Sequence, residues 1–301
     1  MLHSTVTPEQ KRQSLRQALK SGRTLQFPGA FNALSAKLIE DHKFDGVYIS
    51  GSVVAADLGL PDVGLTSVTE VTLRAQQVTR VTDLPTLADA DTGFGEVLNL
   101  ARTVQLFEDS GVSAIHIEDQ VNPKRCGHLD GKAVVDSEEA EQRISAAVRA
   151  RRDPNFIIVA RTDSRGVEGL DSALERAKRL EAAGADVIFP EAMANLAEFE
   201  AMRKAVSVPI LANMTEFGKS ELFSLAQLEN VGVNIVIYPV SLLRVAMGAA
   251  ERALESLRTE GSLASEVSKM QTRSRLYELL DYSGYQEFDN SVFNFRLGKD
   301  Q

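Results

Sequence analysis

Eight short apolar runs recur along the chain, and they constrain its fold more than any other feature of the sequence. Each run has the length of a strand, and most are rich in Val, Ile, Leu or Phe without strict alternation, as in strands buried on both faces. Amphipathic segments with helical spacing lie between them, for example residues 137–151, with Ser137 as the expected cap, and residues 170–183. The runs are residues 25–31, 46–51, 85–91, 114–119, 156–162, 186–191, 209–215 and 234–241.

This alternation of strands and helices predicts a closed (β/α)₈ barrel, with a doubly wound α/β sheet as the alternative fold. No linker rich in Gly, Pro or Ser divides the 301 residues, so we expect a single domain over residues 1–301. Thr7, Pro8 and Gln10 have the spacing of a helix start, which predicts a helix at about 7–21. A basic transit peptide is the alternative interpretation of residues 1–20. A helical tail is expected at about 262–301.

Polar side chains gather at the C-terminal ends of the apolar runs, whereas the N-terminal ends are mostly apolar. In a barrel the C-terminal ends of all strands meet at one mouth, where active sites lie. The pattern therefore predicts one polar site at that mouth. The polar ends are residues 48–50, 89–91, 116–119, 161–163, 190–191 and 213–215.

Several carboxylates would share this mouth and would repel each other unless a cation lay among them. Oxygen ligands without a His or Cys partner suit Mg²⁺, or Mn²⁺, better than zinc. The alternative is that these acids cap helices or pair with Arg161 and Lys124 without any metal. The carboxylates are Asp62, Asp89, Asp91 and Glu118.

The single cysteine, Cys126, lies in a polar loop over residues 124–128, where it is preceded by Lys124 and Arg125 and followed by Gly127 and His128. Neighbouring cations stabilise a thiolate and lower the thiol pKa from ~8.5 toward neutrality. Such a group can donate a proton and take it back, as a general acid–base catalyst does. An inert structural cysteine is the alternative, and a zinc site would need more ligands than this loop offers.

The composition of the chain disfavours some classes of binding partner. The chain carries 33 basic and 42 acidic residues, a net charge of −9, which disfavours general binding to nucleic acid or to an anionic membrane. One cysteine cannot form an internal disulfide. No run is long and apolar enough to cross a membrane, and residues 1–20 lack the apolar core of a secretory signal. We therefore expect a cytoplasmic protein with a small-molecule partner.

These motifs resemble the isocitrate lyase / phosphoenolpyruvate mutase superfamily, over about residues 25–285. The segment 124–128 matches the lysine–basic–Cys-Gly-His signature of the lyase members. One departure is Ser52, where the superfamily often carries glycine, although its backbone N–H remains available to hold a carboxylate. The other matching segments are residues 48–51, 58–62, 89–95, 116–120, 160–163, 189–192 and 211–213.

The resemblance implies a Mg²⁺-dependent lyase that cleaves a carbon–carbon bond in a small tricarboxylate. A length near 300 residues, and Phe189 where isocitrate lyases typically carry Trp, favour the cleavage of 2-methylisocitrate to pyruvate and succinate in propionate catabolism by the methylcitrate cycle. Cleavage of isocitrate, dimethylmalate or oxaloacetate is the alternative within the superfamily. A non-catalytic barrel that acts as a binding protein is the alternative from another class.

The resemblance also implies roles for individual residues. The direct metal ligand would be Asp91, with Asp62, Asp89 and Glu118 acting mainly through water. Cys126 would protonate the succinyl carbanion, and Tyr48 is a candidate base by position only. The implied catalytic residues are Cys126, Tyr48, Lys124 and His128. The implied substrate-binding residues are Ser50, Gly51, Ser52, Arg125, Gly127, Arg161, Phe189, Glu191, Asn213, Thr215 and Ile237.

Much apolar surface follows the last strand. Residues 241–258 and 262–281 carry apolar stripes with helical spacing, and an aromatic tail follows them. Apolar surface left over after a complete barrel needs a partner, so we expect a homo-oligomer. The resemblance implies a tetramer in which a late helix is exchanged between subunits, and the alternative is a tail packed on its own barrel. The tail residues are Tyr282, Tyr285, Phe288, Phe293 and Phe295.

Overall fold

The computed structural model describes residues 4–125, 127, 131–218 and 220–292, and it shows a closed barrel of eight parallel strands. Five strands pair in the order β2-β3-β4-β5-β6 and three in the order β1-β8-β7. Bridges between Gly29 and Tyr48 and between Ile188 and Ile210 join the two sheets. The predicted barrel is confirmed, and the doubly wound sheet is excluded. The strands are β1 (Leu25–Pro28), β2 (Val47–Ile49), β3 (Thr86–Asp89), β4 (Ala114–Glu118), β5 (Ile157–Thr162), β6 (Val187–Pro190), β7 (Leu211–Asn213) and β8 (Ile235–Tyr238).

Helices alternate with these strands and surround the barrel. Short extra helices, α3 and α7, follow β2 and β5 at the mouth, and a 3₁₀ turn precedes α12. No helix in the described ranges is both long and apolar enough to span a lipid bilayer. The helices are α1 (Pro8–Leu19), α2 (Ala33–Asp41), α3 (Gly51–Asp57), α4 (Val68–Thr79), α5 (Val97–Asp109), α6 (Ser137–Ala150), α7 (Ser164–Glu168), α8 (Leu170–Ala182), α9 (Leu196–Ala205), α10 (Leu225–Asn230), α11 (Ser241–Glu260), α12 (Arg273–Leu279) and α13 (Tyr282–Val292).

Because side chains alternate between the two faces of each strand, the barrel has two apolar cores, one inside it and one between the strands and the surrounding helices. Residues such as Leu87 and Val159 point into the barrel and pack with inward side chains from all eight strands. Their neighbours Ala88 and Ala160 point outward against the ring of helices. Because side chains on a strand alternate between faces, the next inward positions after Leu87 and Val159 are Asp89 and Arg161. The same pattern that fills the barrel with apolar groups therefore brings polar groups to its mouth.

Helix α1 closes the other end of the barrel. It begins at the predicted capping box, in which the Thr7 hydroxyl accepts a hydrogen bond from the Gln10 N–H. Leu15 of α1 belongs to the apolar cluster inside the barrel. The buried Lys11 Nζ donates to the backbone oxygens of Thr79 and Thr82. The ammonium thus satisfies carbonyl groups that this end of the barrel buries.

Two local predictions were wrong. The N-cap of α6 is Asp136 and not Ser137, because the Asp136 carboxylate accepts the Glu139 N–H at 2.8 Å. Residues 262–281 do not form one helix. They contain a 3₁₀ turn (Val267–Lys269), an extended Met270 and then α12, because the Thr272 hydroxyl caps a new helix. The predicted tail residues Phe293 and Phe295 lie outside the described residues.

Candidate active site

A cavity of about 210 Å³ opens at the C-terminal mouth of the barrel. Its wall is built mainly from inward positions at strand ends and from the loops that follow them. Most of the residues singled out in the sequence meet there. The predicted residues that line the cavity are Tyr48, Ser50, Ser52, Asp62, Asp89, Lys124, Arg125, Gly127, Arg161, Phe189, Glu191, Asn213 and Thr215.

Other predicted residues lie outside this lining. Gly51 is buried, and its N–H donates to Asp89 Oδ2 at 3.2 Å. Asp91 and Glu118 are buried beside the cavity. Ile237 is buried in the apolar cluster inside the barrel, and it contributes no lining to the cavity. Cys126 and His128 lie outside the described residues.

Lys124 joins two of the predicted metal-site carboxylates. Its Nζ lies 2.5 Å from Asp62 Oδ1 and 2.8 Å from Asp91 Oδ1, with the lysine side chain buried. Burial alone would lower the pKa of Lys124, but the surrounding carboxylates, Asp91 first, raise it above its ordinary value. The ammonium therefore stays charged and holds both carboxylates at one side of the cavity.

The surroundings of these carboxylates shift their pKa values in different directions. Burial raises the pKa of Asp91 to about 6, with a further contribution from the charge of Asp89. Burial also raises the pKa of Glu118 well above its ordinary value. For Asp89, burial acts in the same direction, but neighbouring positive charge and the Asp91 N–H at 3.0 Å outweigh it and lower its pKa. The cluster thus holds more buried negative charge than its own cations neutralise.

This donor set fits a hard divalent cation. Both carboxylate oxygens of Glu118 are buried and accept no hydrogen bond, although Oε2 lies 3.2 Å from Arg161, and the buried Asp91 Oδ1 pairs with the Lys124 ammonium at 2.8 Å. Within the described part of the chain, no three His, Cys, Asp or Glu side chains are grouped closely enough to surround a metal ion by themselves. Mg²⁺ keeps several waters and takes only one or two carboxylates directly, so this arrangement is compatible with it.

Arg161, on β5, is the second cation of this site. Its Nε lies 2.9 Å from Asp163 Oδ2, and its two terminal nitrogens lie 3.2 Å from Glu118 Oε2 and 3.4 Å from Glu191 Oε2. The guanidinium stacks 5.2 Å from the ring centre of Phe189. Arg161 also lines the cavity, and a guanidinium is the side-chain group whose planar fork binds carboxylates.

Tyr48 and His116 form a buried pair beneath the cavity. Tyr48 Oη lies 2.8 Å from His116 Nε2. Burial raises the pKa of Tyr48 well above its ordinary value and lowers the pKa of His116 to about 4. Both rings are therefore neutral near pH 7, so a free Tyr48 phenolate is disfavoured as a base.

Sequence reasoning missed part of the wall, above all Arg244. Arg244 Nη1 lies 3.1 Å from Thr215 Oγ1 and 2.9 Å from Glu216 Oε2, and its guanidinium lies 5.4 Å from the ring centre of Phe217. An arginine in an amphipathic helix is usually exposed to solvent, so the position of Arg244 in the sequence did not suggest a role in a site. The missed lining residues are Glu216, Phe217, Gly218, Pro239, Val240 and Arg244.

Sequence comparison finds relatives over nearly the whole chain. The profile of the phosphoenolpyruvate phosphomutase family matches residues 15–258. A Corynebacterium glutamicum protein named probable 2-methylisocitrate lyase 2 is 56% identical over 295 residues, which cover 98% of this chain and 96% of the relative. The Escherichia coli protein named 2-methylisocitrate lyase is 45% identical over 282 residues, which cover 93% and 95% of the two chains.

Solved structures with the same fold include two enzymes of known name. A 2,3-dimethylmalate lyase, described as a PEP mutase/isocitrate lyase superfamily member, matches with a TM-score of 0.88 and 33% identity, covering 99% of this chain and 100% of its own. A phosphonopyruvate hydrolase in complex with oxalate and Mg²⁺ matches with a TM-score of 0.84 and 29% identity, covering 96% and 99%.

Proposed function

Because the chain belongs to the phosphoenolpyruvate phosphomutase family, within the PEP mutase/isocitrate lyase superfamily, we propose that it is a lyase that cleaves 2-methylisocitrate to pyruvate and succinate. One observation carries the proposal. Two buried carboxylates, Asp91 and Glu118, lie beside a cavity whose lining carries Asp62 and Asp89 together with three arginines, Arg125, Arg161 and Arg244. That distribution suits a tricarboxylate whose hydroxyl end approaches a cation and whose carboxylates meet arginines.

We assign Mg²⁺, with Mn²⁺ as a possible substitute, to these four carboxylates. Asp91 would contact the ion directly, and Asp62, Asp89 and Glu118 would contact it through water. The oxalate and Mg²⁺ bound by the related phosphonopyruvate hydrolase support this assignment. When bound, the ion stabilises negative charge on a neighbouring substrate oxygen. Lys124 holds Asp62 and Asp91 side by side beside it.

The pyruvyl end of the substrate belongs between β2 and β5. Ser50 is the N-cap of α3, so the N–H groups of Gly51 and Ser52 point from the helix start toward the mouth. Arg161 approaches from the other side and offers its guanidinium edge to the same carboxylate. In the absence of substrate the Gly51 N–H donates to Asp89, a bond that a substrate carboxylate can replace.

The succinyl end belongs between β6, β7 and α11. Asn213 Nδ2 lies 3.2 Å from Glu191 Oε2, which orients both groups at the cavity wall. Thr215 is bonded to Arg244, and Arg125 reaches the cavity from the loop after β4. Three carboxylates on the substrate thus meet Arg161, Arg125 and Arg244, one guanidinium for each.

The reaction removes a proton from the substrate hydroxyl and adds a proton to the succinyl carbon. The substrate hydroxyl loses its proton, its C–O bond becomes the ketone of pyruvate, and the electrons of the broken C–C bond remain on the succinyl carbon. Tyr48 would take the hydroxyl proton while passing its own to His116 Nε2, which leaves the positive charge on the imidazole, 3.6 Å from Asp89 Oδ1. Cys126, which lies in sequence between two cations, Lys124 and Arg125, and His128, would protonate the succinyl carbanion.

We also propose a cytoplasmic homotetramer with an exchanged helix. None of the twenty residues of α11 is buried, and Leu254 and Leu257 are 64% and 45% exposed. Between α2 and β8 lies an apolar groove, lined in part by Leu38, Ile39 and Phe44, at the place where a barrel normally carries its last helix. A helix from a second copy would cover both surfaces.

A substrate panel tests the proposed reaction. Purified enzyme with Mg²⁺ is given 2-methylisocitrate, isocitrate, 2,3-dimethylmalate or oxaloacetate at equal concentration, and the loss of substrate and the appearance of both cleavage products are followed. We expect the highest kcat/KM with 2-methylisocitrate. Preference for 2,3-dimethylmalate would instead support the second candidate, favoured by the structural similarity to that lyase. Failure on all four would support a non-catalytic binding protein.

A further inference from the structure

Two buried side chains hold the backbone on both sides of residue 126. The Gln120 side chain, on a residue 1% exposed, donates from Nε2 to the Arg125 oxygen at 2.9 Å and accepts the Arg125 N–H at 2.8 Å. Lys132, with its side chain 3% exposed, donates from Nζ to the Gly127 oxygen at 2.5 Å. Arg125 and Gly127 are thereby fixed by residues that lie outside the cavity lining.

Lys132 also connects this loop to the carboxylate-binding arginine. Its Nζ lies 2.7 Å from Asp163 Oδ1, and Asp163 Oδ2 lies 2.9 Å from Arg161 Nε. The Asp163 backbone is held in turn, since its N–H donates to Asp119 Oδ1 at 2.8 Å. A continuous buried path therefore runs from the Gly127 peptide through Lys132 and Asp163 to Arg161.

The position of Gly127 shows how closely the loop approaches the site. A Cβ atom on Gly127 would lie 2.4 Å from Arg161 Nη2 and 2.6 Å from Glu191 Cγ, nearer than any side chain can come. Glycine is required here because the backbone itself lies against two substrate-binding residues. A small displacement of this peptide would therefore change the geometry of the site.

We propose that Gln120 and Lys132 are positioning residues that together fix the backbone of Arg125 and Gly127, on either side of Cys126, and that Lys132 sets the distance of Gly127 from Arg161 through Asp163. The inference rests on the proposed function, in which Cys126 is the proton donor and Arg161 holds the substrate carboxylate. Gln120 and Lys132 line no part of the cavity, so their effect on the reaction passes through these neighbours.

The kinetic test uses Lys132→Met and Gln120→Met, with the exposed surface variant Lys204→Met as the control. Each test variant should lower kcat by about 10- to 100-fold, because displacement of a catalytic group by about 1 Å has effects of that size. The fall in kcat should exceed the rise in KM, because Arg125 and Arg161 remain to bind substrate and only their supports are removed. The double variant should lose less than the product of the single losses, because both residues hold one loop.

A second readout needs no substrate. The chain has a single cysteine, so the rate of iodoacetamide modification reports Cys126 alone. We expect modification to be at least about threefold faster in both test variants than in Lys204→Met, because the flanking peptides are released. Thermal unfolding checks the fold, and Gln120→Met serves as the variant that removes no charge.

Unchanged kcat and unchanged modification rates in both variants would overturn the inference. A loss of kcat accompanied by an equal rise in KM and a collapse of the melting temperature would overturn it as well, since that pattern marks a general structural role. If the proposed function is wrong, the experiments give a different set of results. Wild-type enzyme would then release no pyruvate from 2-methylisocitrate, while the modification rates would still decide the role of Gln120 and Lys132.

Discussion

Charge balance at single residues decides what this site can do. Lys124 and Arg161 carry fixed positive charge into a mouth where Asp91 and Glu118 are buried and have raised pKa values. A cation among these carboxylates would stabilise their ionised forms and lower those pKa values. The cations of the protein neutralise only part of the negative charge of these carboxylates, and the proposed metal would neutralise the rest.

Cys126 is the residue on which the proposed chemistry depends most. Cys126→Ser should lower kcat by about 10²- to 10⁴-fold, because a serine hydroxyl is a far weaker acid than a thiol flanked by cations. Pyruvate release measures turnover, titration calorimetry measures Mg²⁺ binding, and thermal unfolding measures the fold. The last two should match wild type. Turnover near the wild-type value would remove Cys126 from the mechanism.

Arg244 should act in binding and not in the chemical step. Arg244→Gln removes a guanidinium from the cavity wall, and charge-assisted hydrogen bonds contribute about 1.5–3 kcal/mol. We therefore expect KM for 2-methylisocitrate to rise about 10- to 100-fold with a smaller change in kcat. Lys178→Met, at an exposed ion pair on α8, is the matched control. An unchanged KM would show that no substrate carboxylate meets Arg244.

At the scale of elements, the strands were predictable and some helices were not. All eight strands followed from apolar runs, because a strand buried on both faces must be apolar at nearly every position. The break at Thr272 was missed, because an apolar stripe continues through it while a hydroxyl cap starts a new helix. Lys132 and Gln120 were missed for another reason. Their partners are set by the fold, and Asp163 is 31 residues from Lys132 in sequence.

The segment before α1 should make stability depend on pH through Asp83. Its carboxylate accepts hydrogen bonds from the Ser4 hydroxyl at 2.6 Å and from the Thr5 and Val6 N–H groups at 2.9 and 3.3 Å. Burial alone would raise the pKa of Asp83, but these bonds outweigh it, and the pKa lies below its ordinary value. A lowered pKa in the folded state stabilises the protein above the unfolded pKa of ~3.9, and this contribution is lost as pH falls through the folded value.

Asp83→Asn should therefore lower the melting temperature at pH 7. The difference from wild type should shrink as the pH is lowered toward 4 and below, as far as both proteins remain folded. Thermal unfolding of both proteins across this pH series provides the measurement. A difference that stays constant or grows toward acid pH would contradict the role assigned to the ionised carboxylate.

At the scale of the whole molecule, nothing in residues 4–125, 127, 131–218 and 220–292 covers the stripe on α11 or the groove between α2 and β8. Leu254→Glu together with Leu257→Glu should dissociate the proposed tetramer, because both charges would be buried in the exchanged-helix interface. Glu255→Gln, on the opposite face of the same helix, is the control. Light scattering after size exclusion gives the mass. A wild-type monomer, or a variant that remains tetrameric, would contradict helix exchange.

The central claim is that the barrel mouth is a Mg²⁺-dependent site for cleaving 2-methylisocitrate. The most direct measurement follows both products from this substrate, with metal-stripped enzyme and with the same enzyme after Mg²⁺ is restored. The account predicts equimolar pyruvate and succinate with Mg²⁺ and almost no product without it. No pyruvate from the Mg²⁺-loaded enzyme, or equal rates in both preparations, would contradict it.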